Sequence, residues 1–152
     1  MTFPKLRRLR NLSLLERLLL AQLMVVLPLT GVLLRLVGFV QTFRLLGKTG
    51  GDAPASRVDA PTAAEARRTA WLVSVASRHG PYRPRCLARS LVLWWLLQRR
   101  GLNCQLRIGV QRSPADFAAH AWVELAGQPL GEPASTSVDY TAFEGIDRLS
   151  RA

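Results

Sequence analysis

Seven consecutive residues, Leu91 to Leu97 (LVLWWLL), are apolar without exception, and they set the strongest limit on what this chain can become. A helix that is apolar on every side has no face to offer water and must be enclosed by other elements. The run follows Pro84, which suits the first position of a helix, and stops at Gln98-Arg99-Arg100-Gly101, where Gly101 is a good C-cap. The sequence therefore predicts a central helix, and the remainder must wrap it. With 152 residues there is room for one such core and at most an appendage.

The wrapping comes in two kinds. Upstream, residues 1–48 read as two helices joined near Pro28–Gly31, with Ser13 as N-cap and Leu14, Leu15, Leu18 and Leu19 forming an apolar stripe. Residues 49–60, rich in Gly, Pro and Ala, have the composition of a linker. A further helix opens at Pro61, where Thr62 and Glu65 match a capping box, and runs to His79. Downstream of Asn103 the period changes to alternation: Leu106, Ile108 and Val110 share one face of a strand, His120–Leu125 form a second, Ala126-Gly127 a turn, and Gln128–Glu132 a third. The tail from Pro133 is weakly patterned. Helices first and an antiparallel sheet after is an α+β arrangement, with residues 1–48 as a helical arm, 49–60 as the linker and 61–152 as the main domain.

The formal charge is +11, and the first fifty residues hold eight Lys/Arg against one acid. Such a balance suits an anionic membrane surface or an acidic partner; without a nucleic-acid-binding motif, no nucleic-acid partner is expected. Cys86 and Cys104 are too few for a disulfide scaffold or a closed zinc site, which fits a reducing, cytoplasmic setting. Leu18–Leu34 is free of charge but short of the roughly 20 residues of a spanning helix. Pro28 and Gly31 interrupt it, so the arm is expected to pack on the domain or a partner, with membrane association through residues 1–48 as the alternative.

Chemistry concentrates at Cys86, in the first turn of the central helix. A thiol there feels the helix dipole and the unpaired N–H groups, and Arg83, Arg85 and Arg89 add positive field, a setting that favours thiolate. The same N–H groups can receive an oxyanion. A thiolate also needs a proton shuttle. Of the two histidines, His79 ends a helix, where a capping role suffices, whereas His120 opens a strand between Ala119 and Ala121, small residues that leave its ring accessible. Packing the helix on the sheet would bring sulfur and imidazole together. An acid should orient the base: Glu132 stands opposite His120 if the hairpin has a three-residue loop with Gly127 left-handed, since Ala-Gly is a poor type I′ pair; Asp139 is the fallback, and Asp116 and Glu124 are weaker candidates. Cys104 reads as core, and Trp94, Trp95 and Trp122 as filling the helix–sheet interface. No phosphate-cradling loop or metal-ligand spacing is present, so no cofactor or metal is expected.

The segment PRCLARSL (84–91), continued by VLWWLLQRRGLNCQLRIGVQ and AHAWVELAGQPLGE, resembles the protease half of the lasso-peptide B protein over roughly residues 65–132. That resemblance implies a transglutaminase-like (papain-like) cysteine protease core. It also implies a Cys-His-Asp peptidase that removes the leader of a ribosomally made precursor peptide, freeing an amine for ring closure by a partner cyclase. Cys86 and His120 match its nucleophile and base; the third member falls at Glu132, where the family more often has Asp. Leader recognition in that family belongs to a small separate or fused domain whose pattern is missing here, which implies a stand-alone peptidase of a split system that works with a separate leader-binding protein. Two other functions compete: a transglutaminase-type acyl transferase, and a non-catalytic membrane-associated scaffold working through residues 1–48.

Overall fold

The computed structural model describes residues 12–50, 59–111, 118–133, 135–143 and 146. Its organiser is the apolar run: Leu91–Leu97 lie in a helix and all seven are buried. In chain order the elements are α1 (Leu14–Leu36), α2 (Gly38–Gly50), α3 (Ala60–His79), α4 (Cys86–Arg99), β1 (Cys104–Gln111), β2 (Ala119–Leu125), β3 (Gln128–Pro129), α5 (Thr136–Asp139) and β4 (Tyr140–Ala142). Helices α1, α2 and α3 pack around one side of α4, and β1 and β2 close the other. The sheet is antiparallel with strand order β3-β2-β1-β4, and Cys104 pairs with Leu125 and Ile108 with Ala121.

One face of this sheet joins the core through Cys104, Leu106, Val123 and Leu125, all buried in the cluster around α4. Cys104 is the core residue the sequence predicts, its thiol directed at the Trp94 carbonyl at 3.7 Å. The tryptophans do not all fill the helix–sheet interface. Trp94 meets the ring of Phe43 on α2 at 4.5 Å, and Trp95 donates from Nε1 to Thr49 of α2. Trp122 turns to the opposite face of the sheet, over Gly109, where a Cβ would stand 3.0 Å from its ring.

Several boundaries differ from those expected. Helix α1 runs unbroken through Pro28, although proline removes a donor and costs about 3 kcal/mol inside a helix. Leu23, Leu27, Thr30 and Gly31, on both sides of Pro28, are buried on one face, and burying two leucines offsets a cost of that size. The break falls instead at Val37, with Gly38 left-handed at φ 79 in open space, so glycine is there for its backbone freedom. The N-cap of α3 is Asp59, which accepts from the Thr62 amide at 2.9 Å, rather than Thr62. Helix α4 begins at Cys86, two residues beyond Pro84. It ends as expected at Gly101 (φ 76), whose amide bonds Gln98 while that of Leu102 bonds Leu97, a Schellman closure.

The two N-terminal helices contribute Leu23, Leu27 and Phe43 to the same core cluster as α3, α4 and the sheet. Helix α1 is long and apolar enough to cross a membrane by length and composition, and one of its faces is packed on the protein. The tail, unreadable in sequence, supplies α5 and the edge strand β4, which pairs with β1 at Gly109–Gln111.

Candidate active site

Cys86 is half-buried as the first residue of α4. The residue at the N-cap is Arg85, extended at φ −68 and ψ 162, and among the described residues no side chain caps the helix there. Its first amides are thus left without the oxygen that Ser, Thr, Asp or Asn would place on them. The segment leading into Cys86 is held against α1 at two points. A Cβ on Gly31 would lie 2.1 Å from the Tyr82 hydroxyl, and one on Gly80 would lie 2.9 Å from the Met24 sulfur, so two glycines permit a close approach that fixes where α4 starts.

One turn into α4 the helix is tied to β2. The Ser90 hydroxyl donates to the Ala121 carbonyl at 2.8 Å, with both groups buried, and Ala121 adjoins His120. Arg89, three residues after Cys86 and so its neighbour on the helix surface, donates from its guanidinium to Glu132 Oε1. The other carboxylate oxygen of Glu132 faces His120 Nε2 at 3.6 Å, within ion-pair reach and beyond a direct hydrogen bond. The carboxylate therefore bridges the N-terminal turn of α4 and the first residues of β2. Arg89 and Glu132 also wall a cleft lined by Ala70, Ser74, Leu93 and Gly131.

Glu132 reaches His120 by a route other than the one expected. The hairpin has a two-residue turn, Ala126 (φ 50) and Gly127 (φ 77), and pairs Leu125 with Gln128 and Glu124 with Pro129. Both φ values are positive, the type I′ signature, despite the cost of a left-handed alanine. That register would turn Glu132 to the other face, had the strand continued. It does not continue: after Leu130 donates to the Val123 carbonyl, Gly131 turns left-handed at φ 71 and takes the chain out of the ladder, so that Glu132 swings back to the imidazole.

The surroundings of His120 also differ from the open setting expected of a residue between two alanines. Its ring lies 5.3 Å from that of Tyr140 and 6.2 Å from that of Trp122, with a fifth of the side chain exposed. Trp122 donates from Nε1 to Glu124 Oε1 at 2.9 Å, and Arg107 donates to Glu124 Oε2 at 3.0 Å, so the buried Glu124 braces the aromatic face beside His120. Asp139 is exposed at the end of α5, His79 is exposed at the end of α3, and Asp116 lies outside the described residues. Of the three arginines expected to act on Cys86, Arg89 spends its charge on Glu132, which leaves Arg83 and Arg85, both exposed, as the nearer contributors in sequence. The Arg89 bridge, Tyr140 and the uncapped Arg85 were missed in sequence. Of these, Arg85 alone left a signal: a helix start with no Ser, Thr, Asp or Asn before it.

No curated protein and no solved structure matches the chain significantly. The family model described as the transglutaminase-like superfamily, Transglut_core3, matches residues 31–144 and so takes in α2 to β4, with Cys86, His120 and Glu132 all inside the match. A match over three quarters of the chain, taking in the helix that begins at Cys86 and the sheet that carries His120, makes this chain a member of the transglutaminase-like superfamily.

Proposed function

We propose that the chain is a cysteine peptidase that cuts the leader from a ribosomally made lasso-peptide precursor, with Cys86 as nucleophile, His120 as base and Glu132 as the orienting acid. The observation that carries the reading is the Glu132 carboxylate, which ties the turn bearing Cys86, through Arg89, to His120 Nε2. The family supports thiol-based acyl chemistry of the peptidase or acyl-transferase kind. The resemblance of CLARSL, LRIGV and HAWVE to the lasso-peptide B protein narrows this to leader removal. Such a peptidase works with a separate leader-binding protein and ahead of a cyclase.

In this mechanism His120 takes the thiol proton as sulfur attacks, and the uncapped amides of α4 receive the oxyanion of the tetrahedral intermediate. With Nε2 turned to Glu132, Nδ1 is the nitrogen left for the thiol; it passes its proton to the leaving amine as the C–N bond breaks and the thioester remains. Water, deprotonated by the same ring, then releases the leader acid and returns Cys86. The test is to incubate precursor with the leader-binding protein and the chain, and to follow it by mass spectrometry. Two fragments are expected from wild type, with a loss of about a thousandfold or more for Cys86→Ala. Cleavage retained in Cys86→Ala overturns the reading, and loss of ammonia with a cross-link in place of fragments assigns the thioester to an amine acceptor.

A further inference from the structure

Helix α1 has two unlike faces. Its inner face packs Leu23, Leu27, Thr30 and Gly31 into the protein. Its outer face carries Leu14, Leu18, Ala21, Val25, Leu29, Val32 and Leu36, at i, i+4, i+7, i+11, i+15, i+18 and i+22, so that they align in one stripe along the helix, about 33 Å long at 1.5 Å per residue. The six Leu and Val residues are between 48% and 76% exposed. Soluble proteins rarely leave so long an apolar patch uncovered unless something docks on it.

Charge decides what docks. Arg17 and Arg35, both exposed, stand along one edge of the stripe, and the four positive charges Lys5, Arg7, Arg8 and Arg10 directly precede it in the chain. The sole acid among the first fifty residues, Glu16, is engaged with the Ser13 amide and the Arg68 guanidinium. Two copies laid stripe to stripe would bring Arg17 and Arg35 of both together with no acid of α1 free to pair them, so a second copy is a poor occupant. Crossing a bilayer would strip Leu23 and Leu27 from the core and Tyr82 from Gly31. A stripe of Leu, Val and Ala with a basic edge, lacking the aromatic anchors that centre protein interfaces, suits a helix lying in an anionic lipid interface.

We propose that α1 rests in the plane of an anionic phospholipid surface, its outer stripe among the acyl chains and its arginines at the headgroups. The proposal stands apart from the peptidase reading, and its test needs no activity. The full chain is floated with vesicles of phosphatidylcholine containing one quarter phosphatidylglycerol, and with vesicles of phosphatidylcholine alone. Wild type is expected to float with the anionic vesicles and about tenfold less with the neutral ones or at high salt. Val25→Glu combined with Leu29→Glu, both at exposed positions, should lose flotation by about tenfold or more at unchanged circular dichroism, and the milder Val25→Gln with Leu29→Gln should fall in between. Failure of wild type to float, equal flotation with neutral vesicles, or flotation of the Glu pair at wild-type level overturns it. A wild-type dimer that the Glu pair dissociates assigns the stripe to a second copy and overturns it equally.

Discussion

Helices α1 and α3 begin under side-chain caps, and α4, which carries Cys86, does not. Ser13 accepts from the Glu16 amide while the Glu16 carboxylate accepts from the Ser13 amide, a complete capping box, and Asp59 accepts from Thr62. At the corresponding place α4 has Arg85, a cation with nothing to offer an N–H. Capping is worth about 1 kcal/mol and a single substitution suffices to provide it. Its omission at α4, shared by the one-turn α5, leaves the first amides and the positive end of the dipole without an acceptor, which suits the proposed thiol chemistry.

The sharpest way to break the comparison is to give α4 the cap it lacks. Arg85→Asp places an acceptor on the free amides and a negative charge beside Cys86. Helix stability is expected to rise by about 1 kcal/mol, read as a higher Tm. Alkylation of Cys86 by iodoacetamide at neutral pH should slow by about tenfold, because the thiolate now competes with a carboxylate for the same field. Equal or faster alkylation in Arg85→Asp would mean that the bare helix start does not activate the thiol. Cys104, buried against Trp94, provides the internal control of an unreactive thiol.

The same contrast explains what could be read from sequence. The apolar run of α4, the change of period after Asn103 and the placement of Cys86 on a helix and His120 on a strand all rest on patterns that span many residues and survive local exceptions. The misread features are single-residue decisions. Pro28 was expected to break α1, but burial of the residues around it prevails; Ala126 was expected to refuse a left-handed φ, but the two-residue turn holds it there. The partnership of Glu132 with His120 was anticipated through a register the protein does not have, and Gly131 restores it by leaving the ladder. Tyr140 was invisible because β4 is three residues long, too short to show a period, and it takes its place from β1.

Removing a cap where one exists is the converse test. Ser13→Ala is expected to lower stability by about 1 kcal/mol, or about 2–4 °C in Tm for a chain of this size. Thermal unfolding of Asp59→Ala should also shift downward. Neither should change the rate of Cys86 alkylation, since Ser13 caps α1 and Asp59 caps α3, and Cys86 begins α4. A loss of alkylation in either variant would show that cap removal reaches the start of α4 through the packing of α1 and α3, and the distinction between the helix starts would then be one of degree.

The smallest expected effect lies in acid. The Arg68 guanidinium, followed by the Ser13 amide, holds the Glu16 carboxyl below its ordinary value of 4.5. A carboxylate lowered in the folded state stabilises the fold fully above its unfolded pKa and loses that contribution as pH falls through the folded one. Wild type should therefore exceed Glu16→Gln in Tm at neutral pH, and the gap should close as pH drops below about 4.5. Arg68 is 40% exposed, so water and salt screen the pair and the gap corresponds to less than about 1 kcal/mol. Because the box at α1 is closed by a titrating acid and α4 has no side-chain cap to lose, acid should remove a cap from α1 and none from α4. Hydrogen exchange at the amides of Glu16 and Arg89, the latter bonded to the Arg85 carbonyl, followed from neutral pH to 3, reads the two separately; equal loss of protection at both would erase the contrast.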